Sequence, residues 1–167
     1  GLTVVDLMRR AGIDIETVSI KESNEITTSH GIMMKTDRVF TGTDFSDADM
    51  LVLPGGMPGT KYLGEYQPLC DLLRDFYGKS GKVAAICAAP TVLASLGFLE
   101  GRKAAYPSCM EGLTGAEPSY ESVVVDGNVT TSRGLGTAVD FALSLIGQLL
   151  GEEKADEIAE SVVYSRK

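Results

Sequence analysis

The sequence predicts an α/β protein with a mostly parallel central sheet and a cysteine at a strand-to-helix elbow. Three observations carry that prediction. Residues 82–86 (KVAAI) are a short continuous apolar run of the kind buried on both faces of a parallel sheet. Residues 88–96 continue with alanines and leucines at helical spacing, so Cys87 stands at the changeover. Residues 50–53 (MLVL) form a second core strand and run straight into the glycine-rich turn PGGMPGT.

Residues 1–11 (GLTVVDLMRRA) place Leu2, Val4, Val5, Leu7 and Met8 in a helical pattern. Arg9 and Arg10 sit at the dipole-compatible end, and Gly12 is a stop signal. No Ser, Thr, Asp or Asn caps this helix, and the first helix of a doubly wound fold ordinarily follows a strand. A first strand is therefore expected upstream of Gly1, as a cleaved or separate peptide. Its loss would remove several kcal/mol from a stability of roughly 5–15 kcal/mol.

Residues 13–20 alternate apolar and polar and read as a strand. Residues 32–34 and 38–40, joined across Lys35 to Asp37, read as a small hairpin, with Ser29-His30-Gly31 as a polar loop before them. His30 is a candidate to line a pocket; the alternative is a solvated loop histidine. Residues 63–77 read as one helix with Leu69, Leu72, Leu73 and Phe76 on one face, ended by residues 78–81. Cys70 lies inside it as a packing residue.

Residues 97–101 form a turn, and residues 103–106 a short strand ending at Pro107. Residues 122–125 and 129–131 pair as a hairpin about Asp126-Gly127-Asn128. SRGLGT, residues 132–137, leaves that strand and opens an apolar helix that runs to Leu150. An acidic helix follows from Glu152 to about Val163, its charges on a solvated face.

Placement gives Cys87 two readings. A side chain at the carboxyl end of a parallel strand sits where open α/β sheets bind ligands, and unpaired N–H groups of a following helix favour an anion there. For cysteine that anion is the thiolate, which is only roughly 3% of an ordinary thiol of pKa about 8.5 at pH 7. A core cysteine at the end of a buried strand would look the same in sequence. PGGMPGT is neither G-x-G-x-x-G nor a Walker sequence, so it reads as a tight turn rather than a phosphate loop. Its Gly56 N–H is a candidate oxyanion donor.

The totals narrow the choice. A chain of 167 residues suits one domain and one core, and 44% hydrophobic with 23% charged residues is ordinary globular composition. No run reaches the roughly 18 apolar residues of a membrane span and no secretory signal opens the sequence, so the expected compartment is the cytoplasm. The net charge of −8 without clustered Lys or Arg argues against a nucleic-acid partner. Three cysteines (Cys70, Cys87 and Cys109) without C-x-x-C spacing, and one histidine, argue against a metal site.

Four stretches, AAICAAP, LVLPGG, DLMRRAGI and TSRGLGT, resemble the ThiJ/PfpI superfamily in their residues, order and separation. They are most similar to the branch of the Parkinson-disease-associated deglycase and the bacterial ThiJ-like proteins. The resemblance spans nearly the whole chain. It implies a flavodoxin-like three-layer sandwich, a homodimer, and a nucleophilic cysteine matching Cys87. It also implies an oxyanion pocket from the PGG turn (Gly55, Gly56) and the Ala88 N–H.

The resemblance implies no cofactor and a small-molecule partner, a reactive carbonyl compound or glycated adduct, handled by glyoxalase or deglycase chemistry. The alternative it carries is a redox-responsive chaperone or stress protein whose cysteine is oxidised with little turnover. Two departures are visible. The family's glutamate beside the cysteine would fall immediately ahead of Gly1, and Tyr106 stands where many members have a histidine. Tyr106 would shape the pocket as a hydrogen-bond donor. Arg133 is a candidate to orient neighbouring groups, or else a structural contact near the dimer face. A glutamine-amidotransferase reading is set aside, since that chemistry needs a later histidine and none follows His30.

Overall fold

The computed structural model describes residues 1–105 and 113–166. In chain order the elements are α1 (Leu2–Arg10), β1 (Val18–Ser19), β2 (Glu25–Thr27), β3 (Met33–Lys35), β4 (Arg38–Val39), β5 (Met50–Leu53), α2 (Gly59–Glu65), α3 (Gln67–Gly78) and β6 (Lys82–Ile86). There follow α4 (Pro90–Ser95), β7 (Lys103–Ala105), β8 (Glu117–Ser119), β9 (Val123–Asp126), β10 (Val129–Ser132), a 3-10 turn (Leu135–Thr137), α5 (Ala138–Leu150) and α6 (Glu152–Ser161).

The central sheet runs β5-β6-β10-β9, parallel except for the antiparallel β10–β9 pair. The period of two along β6 sorts its side chains between two helical layers. Ala84 and Ile86 join the core of α1, α5 and α6, with Leu7, Phe141, Leu145 and Ile158. Val83 and Ala85 join the other core, with Leu69, Leu73, Leu93 and Leu99. Small alanines let helices on both faces approach the strand that carries the elbow. This is the flavodoxin-like α/β/α sandwich the sequence predicts.

Three expectations are corrected. Only Val18 and Ser19 of residues 13–20 pair as a strand, because their partner β4 is two residues long. Ile13 and Ile15 instead pack against the α1 side of the core. The hairpin is made by β3 with β2, not with residues 38–40. Side-chain hydrogen bonds break the chain between β3 and β4. The buried Thr36 hydroxyl donates to Asn24 and Arg38 carbonyls, and the Asp37 carboxylate accepts from Thr17 N–H, Thr17 Oγ1 and Arg9.

The helix expected at 63–77 is two helices divided at Tyr66, whose ψ of 95° is extended. Pro68 has no N–H to continue a ladder and its ring clashes one turn back. The strand β8, parallel to β7, falls in a stretch where the sequence shows no apolar run. The hairpin at residues 123–132 is as expected, with Gly127 at φ 61° in its turn. No helix among the described residues is long and apolar enough to cross a membrane.

Candidate functional site

Cys87 follows β6 directly and adopts φ 63°, in the left-handed region that costs a residue with a Cβ roughly 1–2 kcal/mol. Its main chain is held there from the neighbouring strand. Ser132, the last residue of β10, pairs with Ile86, and its carbonyl accepts the Cys87 N–H at 2.9 Å. The bend turns the side chain out of the sheet, and Cys87 is half-buried while Ile86 and Ala88 on either side are buried.

The donors at this bend differ from the sequence expectation. α4 has six residues and begins at Pro90, three positions beyond the thiol. The N–H groups of Ala89, Thr91 and Val92 are taken up by the carbonyls of Ile86, Ala88 and Ala89, a tight i to i−3 winding. Pro90 has no N–H. What remains open among the described residues is the single N–H of Ala88, next to the thiol. The elbow therefore presents one main-chain donor rather than the first turn of a helix.

The PGG turn after β5 lies against the elbow from the adjacent strand. A Cβ on Gly55 would stand 2.6 Å from Cys87 Cβ, 2.6 Å from the Ile86 carbonyl oxygen and 3.1 Å from Ala88 N. Gly55 is thus the point where the two strand ends touch. Gly56 follows at φ 100°, its N–H without an acceptor among the described residues and its α-carbon facing the Ser29 hydroxyl. Gly56 and Ala88 thus each carry an N–H without an acceptor among the described residues, on the two strand ends that meet at Gly55.

SRGLGT forms a further wall. A Cβ on Gly134 would lie 4.0 Å from Cys87 Sγ. The amino end of α1 forms another, since Gly1 packs on Pro54. Burial pulls the Gly1 amino group below its usual pKa, while the Cys87 charge acts the other way.

His30 is exposed at the tip of the β2–β3 hairpin, next to Ser29, and makes no hydrogen bond to the elbow. Arg133 stands over the Tyr120 ring at 5.6 Å and donates to the Tyr120 carbonyl at 3.5 Å. Those contacts place its guanidinium on the β8–β9 side. Tyr106 and Cys109 lie outside the described residues. Cys70 is buried, with its thiol on the Gly64 carbonyl, as a packing residue. Two surface cavities, of about 360 and 440 Å³, are lined by other parts of the chain: the first by residues of α6 and the segment after it, the second at the opposite end of β5 and β6. No group of three or more His, Cys, Asp or Glu side chains among the described residues could hold a metal ion.

Sequence reasoning passed over Ser29 and the glycine of SRGLGT that faces the sulfur. The available signal was position: a glycine two residues beyond a sheet strand, like those of the PGG turn, marks close approach of main chain to a site.

A model described as the DJ-1/PfpI family matches residues 1–148. Protein dj-1beta of Drosophila melanogaster is 37% identical over 168 residues, covering 98% of this chain and 89% of that protein. Its crystal structure superposes with a TM-score of 0.91 at 36% identity, over 99% of this chain and 90% of that one. The structure of oxidized Toxoplasma gondii DJ-1 gives 0.92 at 30% identity, over 99% and 91%. Protein DJ-1 homolog B of Arabidopsis thaliana is 37% identical over 97% of this chain, which spans only 38% of that longer protein. The glutathione-independent glyoxalase DJR-1.2 of Caenorhabditis elegans is 27% identical over 163 residues, covering 96% of this chain and 87% of that protein.

Proposed function

The chain belongs to the DJ-1/PfpI family, and on that premise we propose that it acts on reactive carbonyl compounds through Cys87, without a cofactor, in glyoxalase or deglycase fashion. The observation that carries the reading is the elbow itself. A cysteine is held in the left-handed region at a strand end, between a glycine turn and two open N–H groups. Main-chain strain of this kind persists only where surrounding structure enforces it, and it clusters at active sites.

In this mechanism the Cys87 thiolate attacks the aldehyde carbon, the carbonyl electron pair moves onto oxygen, and a hemithioacetal forms. The N–H groups of Gly56 and Ala88 stabilise the oxyanion. A base must then carry the aldehyde hydrogen as a proton to the neighbouring carbon, giving a 2-hydroxy thioester, and water must hydrolyse that thioester to release the hydroxy acid and free the Cys87 thiol. The similarity to a protein named as a glutathione-independent glyoxalase supports the substrate class. A homodimer is part of the proposal: Leu2, Ile32, Met33 and Met57 are exposed apolar side chains on segments near the elbow that a second copy would cover.

A second reading has its own support, the likeness to a DJ-1 described in its oxidized form. In it the half-buried Cys87 is oxidised by two equivalents of a peroxide, through the sulfenic acid to the sulfinate, and the protein works as a redox-responsive chaperone. One experiment separates the two: methylglyoxal consumption and suppression of aggregation by wild type and Cys87→Ser. Turnover that disappears with the thiol supports the enzyme. Absent turnover, with aggregation suppressed by both proteins, overturns it in favour of a chaperone that works without the thiol, and suppression by the oxidised wild type alone favours the redox-responsive one.

A further inference from the structure

Ser132 closes β10 with no exposed surface. Its hydroxyl lies 2.8 Å from the Ser122 carbonyl and 2.7 Å from Thr137 Oγ1. A serine hydroxyl has one hydrogen, and a carbonyl can only accept. Thr137 Oγ1 also lies 3.0 Å from the Gly134 carbonyl, so the Ser132 and Thr137 hydroxyls, with one hydrogen each, share three contacts: Ser132 to the Ser122 carbonyl, Thr137 to the Gly134 carbonyl, and the two hydroxyls to each other. Thr137 Oγ1 in turn accepts the Gly134 N–H at 3.1 Å, while the Thr137 N–H closes the turn onto the Gly134 carbonyl at 3.0 Å. Gly134, Thr137, Ser132 and Ser122 are thus joined in one hydrogen-bonded relay, with Thr137 held to both the N–H and the carbonyl of Gly134.

Two members of this relay bear on the thiol. Gly134 faces Cys87 Sγ, and the Ser132 carbonyl holds the Cys87 N–H. Between them the loop has little packing to fix it. Leu135 is 89% exposed, and a Cβ on Gly136 would meet nothing within 4 Å. Hydrogen bonds, not apolar contacts, set where Gly134 stands.

We infer that Thr137 and Ser132 are positioning residues for Cys87: a hydroxyl clamp that fixes both the wall beside the sulfur and the main chain beneath it. Neither hydroxyl touches substrate. The inference deepens the Cys87 reading above, and its test has an arm that does not depend on that reading.

The variants are Thr137→Val, which keeps the shape and removes the hydroxyl, and Thr137→Ser, which keeps the hydroxyl. Iodoacetamide labelling of Cys87 in the folded protein, resolved from Cys70 and Cys109 by peptide mass, is measured beside methylglyoxal kinetics. Thr137→Val should label Cys87 at least about tenfold more slowly and lose about tenfold or more in kcat, with KM within about twofold, as expected for a misplaced nucleophile. Thr137→Ser should stay within about twofold of wild type in both.

A folded Thr137→Val that labels at or above the wild-type rate overturns the clamp, as does a Thr137→Ser as impaired as the valine variant. If the wild type leaves methylglyoxal untouched, the carbonyl reading falls and labelling alone decides the clamp. If Thr137→Val does not fold, hydrogen exchange in the wild type decides. A Gly134 amide protected by about tenfold or more relative to an unstructured chain supports the clamp, and an unprotected one overturns it.

Discussion

Replacing Gly55 with alanine tests the contact between the two strand ends. The added methyl would sit 2.6 Å from Cys87 Cβ and 2.6 Å from the Ile86 carbonyl oxygen. Carbon atoms rest about 3.5–4.0 Å apart, so the shortfall is about 1 Å, and the atoms met are main chain or Cβ, which have no rotamer to change. Overpacking of this kind costs about 1–3 kcal/mol, and the fixed neighbours place Gly55→Ala at the upper end. Alanine also restricts the unfolded chain, offsetting about 0.4–1 kcal/mol. The net loss should be about 2 kcal/mol, a fall in Tm of about 4–8 °C for a chain of this size.

Relief of the overlap would move the PGG turn away from the elbow and carry the Gly56 N–H with it. A displacement near 1 Å at a reacting centre can cost about a hundredfold in rate. Gly134→Ala is the matched control: its Cβ would lie an ordinary 4.0 Å from Cys87 Sγ, and φ 167° is open to any residue. It should unfold within about 0.5 kcal/mol of wild type. Thermal unfolding and Cys87 labelling read both variants. A Gly55→Ala protein that melts with the wild type and labels at the same rate would refute the packing described for the two strand ends.

Three further outcomes are expected from the same structure. Cys87→Gly should be more stable than Cys87→Ala by about 1 kcal/mol, since glycine adopts φ 63° without the Cβ penalty; equal Tm values would show that the elbow stores no strain. Asp37→Asn should cost about 1 kcal/mol, a figure discounted because the carboxylate is 39% exposed. The Thr17 hydroxyl first, then the Thr17 N–H and Arg9, hold the Asp37 pKa below the usual carboxylate range. That stabilisation is therefore complete above the unfolded-state value near 4 and disappears as pH falls through the lower folded value, so urea titrations should show wild type and Asp37→Asn converging in acid. Arg102→Met should lose about 1–2 kcal/mol by chemical denaturation, because Arg102 joins Tyr77, the Asp126 carbonyl and the Asp126 carboxylate across three segments.

The parts legible in the sequence are those where one physical signal dominates. KVAAI reads as a buried parallel strand because both its faces are covered, and the Asp126-Gly127-Asn128 turn reads as a hairpin because Gly127 needs positive φ. The region before β5 was harder to read. Its strands are two or three residues long, and their pairing is decided by Thr36, Asp37 and Thr17 side chains rather than by apolar alternation. The break at Tyr66 was visible in Pro68 and was overridden by the apolar face running across it.

At the site, Cys87 and the PGG turn were legible as a thiol at a strand end and a glycine turn. The strained main chain was not, because left-handed geometry at a non-glycine residue leaves no mark in sequence. Nor was the hydroxyl relay, whose members lie at residues 122, 132, 134 and 137 and meet only once β9 and β10 pair. The helix-end argument for a favoured anion gave way to one open N–H, that of Ala88, because the turn into α4 consumes its neighbours internally.

Site-resolved alkylation of the native protein tests the central claim most directly. With limiting iodoacetamide at neutral pH, Cys87 should be modified faster than free glutathione, while Cys70, 4% exposed, should stay unmodified until the protein unfolds. Cys87 reacting no faster than glutathione, or only together with Cys70 on unfolding, would contradict a nucleophile presented by the elbow.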